Sequence, residues 1–543
     1  MPTPRPGPRH GALFTRRQVL AGLTAAGAAG AAGAVGVPRA LAGSPRLAAQ
    51  AAATAPAGSD IGALEHIVFL MMENRSYDHY FGSYWQGRGF DDHPPHSLGA
   101  FAQHFPDGGK LTPPHVLLPF HLQSSTGEEC TASLNHNWGA EHDCWNGGRM
   151  DSFVSFHTTQ KDEGVPDGEI TMGYYTRADL PFYYALADNF TLCDRYHSSI
   201  LGPTHPNRLM ANSGTIDPSG QAGGPITDTN ATPAARWSCS WPTIQEVLQD
   251  AGISWKVYHP STTDLPLAYA ELAAFPTWQS ELYDPTLNDE VLALTVNILP
   301  YFATFEDPTT VLHQRAFGPT FPGQFGQDVA AGTLPTVSWI VPPLGFNEHP
   351  AGAPDRGMYV TSMILNALMS NPAVWSKTAL FLMYDENDGF FDHVPPPVAP
   401  AGTPGEELTA TPSFSDETAG IRGPLGLGMR VPMLVVSPFS RGGRVVSEVF
   451  DHTSQLHLLH ERFGIEVPNV SAWRRSVVGD LTATLFQGPT DTSIPTLPTA
   501  PLPAMQAVGD CNEAYQDAQE VGGDMSPMVP LVQSMPTQEP RPT

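Results

Sequence analysis

The chain has 543 residues, and its 54 Asp and Glu outnumber its 27 Lys and Arg, so the formal net charge is −27. A surface of this charge repels nucleic acid and anionic membranes at long range. Composition therefore excludes nucleic-acid binding and permits only transient contact with a membrane surface. An anionic substrate would need its charge neutralised locally, and a bound metal ion is the most direct means.

The first 42 residues have the order of a bacterial export signal. A twin arginine, Arg16-Arg17, is followed by a weakly apolar Ala/Gly stretch over 21–37 and by a small-x-small cleavage site at 40–42. A twin-arginine signal is read by a dedicated export machinery. We predict that residues 1–42 are removed and that the protein is secreted, periplasmic or part of the cell envelope. A chance Arg-Arg pair in a disordered tail is the alternative.

Composition divides the rest of the chain into three parts. Residues 43–60 are rich in Ala, Gly and Ser and are predicted to be a flexible linker. Residues 61–485 are predicted to form one catalytic domain with long loop insertions at about 84–180 and 215–250. Residues 486–543 are rich in Pro and Thr, and they either wrap the domain in extended form or remain loose.

Strand-like apolar runs alternate with helical patterns along the catalytic domain. This alternation predicts a mainly parallel sheet with helices on both faces, that is, a three-layer α/β/α fold. The predicted strands are 66–72, 253–258, 336–341, 378–384 and 429–437, and the predicted helices include 243–251, 355–370 and 453–463.

The five cysteines match no zinc-binding spacing. An exported protein can form disulfides, and Cys130 with Cys144 would close a short loop. Buried free thiols are the equally weighted alternative for the other cysteines, which are Cys193, Cys239 and Cys511.

Acidic and amide side chains follow two of the predicted strands at the residue where each strand ends. Glu73-Asn74 follows the first strand and Asp385-Glu386 follows the fourth. Open α/β sheets place their sites at the carboxyl ends of parallel strands. Three carboxylates and one amide oxygen suit a divalent cation such as calcium, magnesium, manganese or zinc. One such pair alone would more often be an exposed turn, but two matching pairs favour a metal site.

A candidate nucleophile, Thr204, stands between these pairs in the segment 202–208, GPTHPNR, just before a predicted helix. The free N–H groups and the dipole at a helix N-terminus attract phosphate. A metal ion can lower the pKa of a hydroxyl and so create the attacking alkoxide. Arg208 is predicted to pair with a phosphate oxygen. The alternative is that Thr204 only caps the helix.

Histidines are the candidates for proton transfer and for binding the phosphate, since phosphoryl transfer needs a proton donor and positive groups around the phosphate. The strongest candidates are His136, His349 and His393, and the weaker ones are His142 and His452.

These segments resemble the motifs of the bacterial phosphoesterase family, which includes haemolytic and non-haemolytic phospholipases C and an acid phosphatase. Residues 72–82 (MENRSYDHYFG) resemble the opening motif, 202–208 the nucleophile segment and 384–397 (YDENDGFFDHVPPP) the metal segment. Residues 451–454 and 462–464 are similar to the closing helix. The resemblance covers most of the catalytic domain.

The resemblance implies an alkaline-phosphatase-like fold and an enzyme that hydrolyses phospholipids or other phosphoesters. It implies that Thr204 is both nucleophile and metal ligand, and we expect a histidine, His349 or His393, to protonate the leaving group. The implied metal ligands are Glu73, Asn74, Thr204, Asp385 and Glu386, and the implied phosphate histidines are His349, His393 and, less directly, His136.

One departure from the family pattern affects the expected substrate. Many members have His-Gly-Gly after the acid pair, where this chain has Asn387-Asp388-Gly389. Thr204 favours the phospholipase branch, because the acid phosphatase branch uses Ser. We therefore predict an exported phospholipase C that acts through a phosphothreonine intermediate. An acid phosphatase acting on soluble monoesters and an inactive secreted binding protein are the alternatives.

Overall fold

The structure is a computed structural model. The predicted signal at 1–42, Cys130 and Cys511 lie outside the residues that it describes. These residues are 45–94, 97–104, 116–124, 131, 133–159, 168–229, 235–260, 296–342, 346–350, 352–414, 418–467, 469–500 and 532–542.

The strands are, in chain order, β1 (His66–Met72), β2 (Gln103–His104), β3 (Val116–Leu117), β4 (Phe120–His121), β5 (Gly173–Tyr174), β6 (Thr191–Cys193), β7 (Trp255–Pro260), β8 (Thr320–Phe321), β9 (Val337–Ile340), β10 (Thr378–Tyr384), β11 (Met433–Val436) and β12 (Arg444–Val446). The α-helices are α1 (Pro45–Ala53), α2 (Tyr77–Phe81), α3 (Trp138–Trp145), α4 (Phe153–Thr159), α5 (Pro181–Asn189), α6 (Thr204–Ser213), α7 (Ile244–Asp250), α8 (Val311–Phe317), α9 (Gly323–Ala331), α10 (Pro354–Ser370), α11 (Pro372–Trp375), α12 (Ser454–Phe463) and α13 (Ala472–Val477).

In the described residues, eight strands form one sheet in the order β12-β6-β11-β10-β1-β9-β7-β8. Neighbouring strands are parallel except for β11, which is antiparallel to β10 and β6. The central strands β1 and β10 are buried on both faces, as expected for parallel strands that helices cover on both sides. The predicted three-layer fold with a mainly parallel sheet is confirmed.

Strands β1 and β10 form because each is a continuous apolar run, HIVFLMM and TALFLMY. Phe69 lies between Phe381 and Trp339 of the two neighbouring strands, with ring centroids 5.5 and 5.9 Å away. Such ring contacts add about 0.5–1.5 kcal/mol each beyond the area they bury. The register pairs Met72 with Tyr384, so the two acid pairs leave the sheet side by side.

The strands predicted at 66–72 and 378–384 are β1 and β10, with the same bounds. The predicted strands at 253–258, 336–341 and 429–437 are β7, β9 and β11 with shifted ends. The short strands β6, β8 and β12 were not predicted, because two or three residues are too few to show a period of two.

Both ends of the described chain pack on the domain. Within the segment predicted to be a flexible linker, α1 buries Ala51, and Thr492 Oγ1 donates to the Ala51 carbonyl at 2.9 Å. Residues 532–542 lie against the segment that follows α2, where Gln538 Nε2 donates to the Tyr84 carbonyl at 2.6 Å. This part of the C-terminal extension therefore wraps the domain, which is one of the two arrangements considered above.

Two further observations concern the described residues alone. Cys144, Cys193 and Cys239 are buried free thiols, so the expected pairing of Cys144 with Cys130 is wrong. Among the helices of these residues, none combines the length and the apolar character needed to cross a membrane.

Candidate active site

The two acid pairs meet where β1 and β10 end. Glu73, Asn74, Asp385 and Glu386 are all buried. The backbone N–H of Asn74 donates to Asp385 Oδ1 at 3.1 Å, which joins the two strand ends directly. Asn74 has a positive φ of 62°, a conformation that Asn tolerates better than most residues, and it turns the chain sharply out of β1.

Oxygen atoms at this junction fit a divalent cation. Asn74 Oδ1 and Glu386 Oε1 are buried and accept no hydrogen bond from the described residues. Burial raises the pKa of Glu73 to about 8, and burial together with Asp385 raises the pKa of Glu386 well above its usual range. A cation would stabilise these carboxylates in the charged form and would bind the two oxygens that accept no hydrogen bond from the described residues.

Arg208 connects helix α6 to both acid pairs. Its guanidinium donates to Glu73 Oε1 at 3.2 Å and to Asp385 Oδ2 at 3.0 Å, and it also reaches the carbonyls of Met71 and Met72. The pairing of Arg208 with a phosphate oxygen was predicted, whereas in the structure this side chain binds the carboxylates.

Thr204 is the first residue of α6 and lies one turn before Arg208. Residues four apart share a helix face, so Thr204 lies on the face that Arg208 directs at the acids. The N-cap residue is Pro203, which makes no side-chain hydrogen bond to the helix. The alternative that Thr204 serves only as the N-cap therefore does not describe this helix.

His136 and His349 face each other beside the acids, with ring centroids 5.9 Å apart. His136 Nε2 is 3.5 Å from Glu386 Oε1, and His136 Nδ1 donates to the Leu134 carbonyl at 2.6 Å. His349 Nδ1 donates to the Pro350 carbonyl at 2.6 Å, and burial lowers the pKa of His349 to about 3. His349 is therefore neutral near pH 7, and its Nε2 carries the lone pair.

Asn347, which the sequence analysis missed, donates from Nδ2 to Glu73 Oε2 at 2.8 Å. Its neighbour Glu348 has a φ of 73° and a buried carboxylate. This carboxylate accepts hydrogen bonds from three phenols, which belong to Tyr80, Tyr183 and Tyr384. The anchored Glu348 holds Asn347 and His349 on either side of it at the site. Only the adjacency of Asn347 to Glu348-His349 could have drawn attention to it.

Asp388 is the second residue that the sequence analysis did not assign, although it stood out as a departure from the family pattern. Its Oδ1 accepts from Asn74 Nδ2 at 2.8 Å and from Ser133 Oγ at 3.0 Å, and its Oδ2 accepts from the Leu134 N–H at 2.9 Å. Burial raises the pKa of Asp388 to about 6. Asp388 thus lies inside the site.

His393 belongs to a different cluster. Its Nδ1 lies 2.6 Å from Asp78 Oδ2, and Arg430 bonds to both Asp78 and Asp392. No hydrogen bond or ion pair of the described residues joins His393 to Glu73, Asn74 or the Asp385-Glu386 pair. The structure therefore brings His136 and His349 to the acids but gives His393 other partners.

The weaker candidates have structural contacts. His452 Nε2 donates to the Asp385 carbonyl at 2.7 Å, so His452 supports the acid pair from behind. His142 lies between the carbonyls of Trp138 and Pro424. The ring of Trp138 is fully buried and stacks on His142 at 4.6 Å, as a packing residue does.

The fold and this cluster define the class of protein, an α/β enzyme with its reacting groups at the carboxyl ends of the central strands. The model of the Phosphoesterase family matches residues 64–466, so the chain belongs to the phosphoesterase family, and the resemblance noted in the sequence is confirmed. It is a phosphoric ester hydrolase.

Two relatives that match most of this chain are both named phospholipase C. Phospholipase C A of Mycobacterium tuberculosis (strain ATCC 25618 / H37Rv) is 41% identical over 542 residues, which covers 97% of this chain and 96% of the relative. Non-hemolytic phospholipase C of Burkholderia pseudomallei (strain K96243) is 39% identical over 88% of this chain and 65% of the relative.

The solved structures that match this chain are less similar to it. A phosphonate monoester hydrolase from Silicibacter pomeroyi has a TM-score of 0.26 and 12% identity, over 57% of this chain and 73% of that chain. A protein in the alkaline phosphatase superfamily from Vibrio parahaemolyticus has a TM-score of 0.28 and 8% identity, over 62% of this chain and 82% of that chain.

Proposed function

We propose that this protein is an exported, metal-dependent phospholipase C. It hydrolyses glycerophospholipids such as phosphatidylcholine to diacylglycerol and a phosphorylated head group. Relatives named phospholipase C, 41% identical over 97% of this chain, support the substrate class. The observation that carries the proposal is two buried oxygens that accept no hydrogen bond from the described residues, Asn74 Oδ1 and Glu386 Oε1, among carboxylates at two adjacent strand ends.

In this proposal Glu73, Asn74, Asp385, Glu386 and the Thr204 hydroxyl hold one divalent cation, with calcium, zinc, magnesium and manganese as the candidates. A cation bound there would lower the pKa of the Thr204 hydroxyl and offset negative charge on the phosphate. The anchored Asn347 keeps Glu73 turned toward the site.

The reaction proceeds in two displacements at phosphorus. Thr204 Oγ forms a bond to phosphorus as the bond to the diacylglycerol oxygen breaks. His349, neutral at the start, takes the Thr204 proton at Nε2 and transfers it to the leaving oxygen. Water then attacks the phosphothreonine, and the same nitrogen carries the proton from water to Thr204 Oγ. His136 borders the phosphate beside Glu386, and His393, with its ion pair to Asp78, supports the site from outside.

Replacement of the nucleophile tests this mechanism. Thr204→Ala is expected to lower kcat with phosphatidylcholine by about 10³-fold or more, while Thr204→Ser retains measurable turnover. Thr484→Ala serves as a matched control, because Thr484 is a buried threonine whose hydroxyl donates to the Leu481 carbonyl in its own turn. Full activity of the Thr204→Ala variant would contradict the proposed nucleophile.

The substrate class needs a separate assay. The wild-type protein is incubated with phosphatidylcholine vesicles and, in parallel, with a simple aryl phosphate. Release of diacylglycerol is the expected result. Turnover of the aryl phosphate alone would identify an acid phosphatase instead.

The export route is tested in cells. Replacement of both Arg16 and Arg17 by Lys is expected to retain the protein in the cytoplasm, because the twin-arginine signal is read by its receptor. Unchanged export of this variant would contradict the proposed route.

A further inference from the structure

We infer that Asp388 is a positioning residue whose carboxylate orients the side-chain amide of Asn74, so that Oδ1 and not the NH₂ group is presented to the cation. This inference rests on the cation site of the proposed function. It assigns a role to one residue of the Asn387-Asp388 segment, which was noted in the sequence as a departure from many family members.

The amide nitrogen of Asn74 faces the Asp388 carboxylate. Its Nδ2 donates to Asp388 Oδ1 at 2.8 Å and contacts His136 Nε2 at 3.4 Å. An ionised carboxylate only accepts hydrogen bonds, so Asp388 selects the NH₂ group and Oδ1 points the other way.

The oxygen that points away is the one without a partner. Asn74 Oδ1 is buried and accepts no hydrogen bond from any described residue. Rotation of the amide by 180° would place this oxygen against the Asp388 carboxylate, where two acceptors would repel each other. The same rotation would direct two N–H groups at the cation, so only the observed orientation provides a ligand.

Asp388 is itself held firmly enough to set this orientation. The Ser133 hydroxyl and the Leu134 N–H bind its two oxygens at 3.0 and 2.9 Å. Its positive φ of 54° marks a sharp turn of the backbone two residues after the acid pair. A carboxylate that accepts at both oxygens and cannot rotate gives Asn74 one stable amide orientation.

An isosteric variant separates orientation from packing. In Asp388→Asn the side chain keeps its shape, but it can offer either an acceptor or a donor to Asn74, so the preference is lost. Calcium, magnesium, manganese and zinc are each titrated into the metal-stripped protein by calorimetry. The cation that binds the wild type most tightly is expected to bind Asp388→Asn about tenfold or more weakly. The unfolding temperature of the metal-free variant reports any structural damage.

Asp328→Asn is the matched control. The Asp328 carboxylate accepts from the Tyr258 hydroxyl at 2.7 Å and from Lys256, both on β7, which lies two strands from β1. This variant also loses a charge from a half-buried ion pair, but its cation affinity is expected to equal that of the wild type.

The exchange variant Asn74→Asp with Asp388→Asn tests the pairing itself. Asn74→Asp alone puts two carboxylates in contact. The double variant restores a donor opposite an acceptor with the charge of the wild type, so its cation affinity is expected to exceed that of Asn74→Asp by about tenfold.

The outcomes distinguish this inference from the proposed function. A wild-type protein that binds none of the four cations would overturn the cation site and this inference with it. Cation binding by the wild type with equal affinity in Asp388→Asn would overturn the positioning role alone, as would a double variant no tighter than Asn74→Asp.

Discussion

At the scale of single residues, two groups of buried charges lie close in sequence but have separate partners. Asp385 and Glu386 belong to the proposed cation site, whereas His393 pairs with Asp78 and Asp92 beside Arg430. Burial opposes the charged form of His393, but the contact with Asp78 outweighs it and raises the pKa of His393 above its ordinary value of 6.5. The same contact helps to keep the pKa of Asp78 low despite burial.

The ion pair of His393 predicts a pH-dependent contribution to stability. A raised pKa stabilises the fold fully below about pH 6.5, and this gain is lost as the pH rises through the folded-state pKa. Asp78, with its lowered pKa, contributes above about pH 4. Replacement of His393 by Asn is therefore expected to cost about 1–3 kcal/mol near pH 5.5 and less near pH 9, measured by urea unfolding.

His259→Asn is the contrasting control for that measurement. Burial lowers the pKa of His259 to about 4, and its Nε2 donates to the Ala316 carbonyl. Unfolding then takes up a proton below about pH 6.5, so the stability lost in this variant is expected to grow as the pH rises. If the stability lost in His393→Asn also grew as the pH rises, the inference that His393 is protonated in the folded protein would be wrong.

At the scale of elements, helix α6 and the loop before it present the proposed nucleophile. Asn207 Oδ1 accepts from the N–H groups of Ser199 and Ile200, each at 2.8 Å. Its Nδ2 donates to the carbonyls of Gly202 and Pro203 at 2.9 and 3.0 Å. One buried side chain thus satisfies the loop backbone immediately before Thr204.

Asn207→Ala is expected to lower both stability and kcat. The variant leaves buried backbone groups without partners, which costs about 2–4 kcal/mol in the free energy of unfolding. Displacement of Thr204 lowers kcat further, by about tenfold or more. Asn212→Ala on the same helix is the control, since Asn212 is half-buried and bonds mainly to its own helix and to Gln245. Urea unfolding measures the stability of both variants, and steady-state kinetics measure their kcat. An unchanged kcat in Asn207→Ala would exclude a positioning role for the loop.

At the scale of the whole molecule, the last described residues tie the C-terminus to the segment that follows the opening motif. The Glu539 N–H donates to the Ser83 carbonyl at 2.8 Å, and the Glu539 carboxylate pairs with Arg177 at 2.6 Å. Arg541 lies over the ring of Trp85 at 5.1 Å. These contacts connect positions more than 350 residues apart in the chain.

Removal of residues 532–543 is expected to lower the unfolding temperature. Each kcal/mol of stability lost shifts a large domain by roughly 2–4 °C. Glu539→Gln in the full chain keeps the backbone contacts and loses only a partly exposed ion pair, so its effect is expected to be much smaller. Thermal unfolding followed by circular dichroism measures both, and an unchanged unfolding temperature on truncation would show that the C-terminal contacts contribute nothing.

The sequence predicted the elements whose signal is local. The bounds of β1 and β10 were correct because each strand is an unbroken apolar run that ends at an acid pair. The helix predicted at 355–370 differs from α10 by one residue, since Pro354 occupies the first helical position. Strands β6 and β12, at one edge of the sheet, are three residues long and pair with partners far along the chain, so no local pattern marks them.

The sequence by itself determined the chemistry available to this protein, which is two acid pairs after buried strands, a hydroxyl at a helix start and a surplus of negative charge. These features are set by composition and by residues adjacent in the chain, so they do not depend on the tertiary packing. Only the tertiary structure decided the partners, with Arg208 on the acids, His393 on Asp78 and Asp388 on the amide of Asn74. Asn74 and Asp388 are 314 residues apart, and their contact exists because β1 and β10 are neighbours in register.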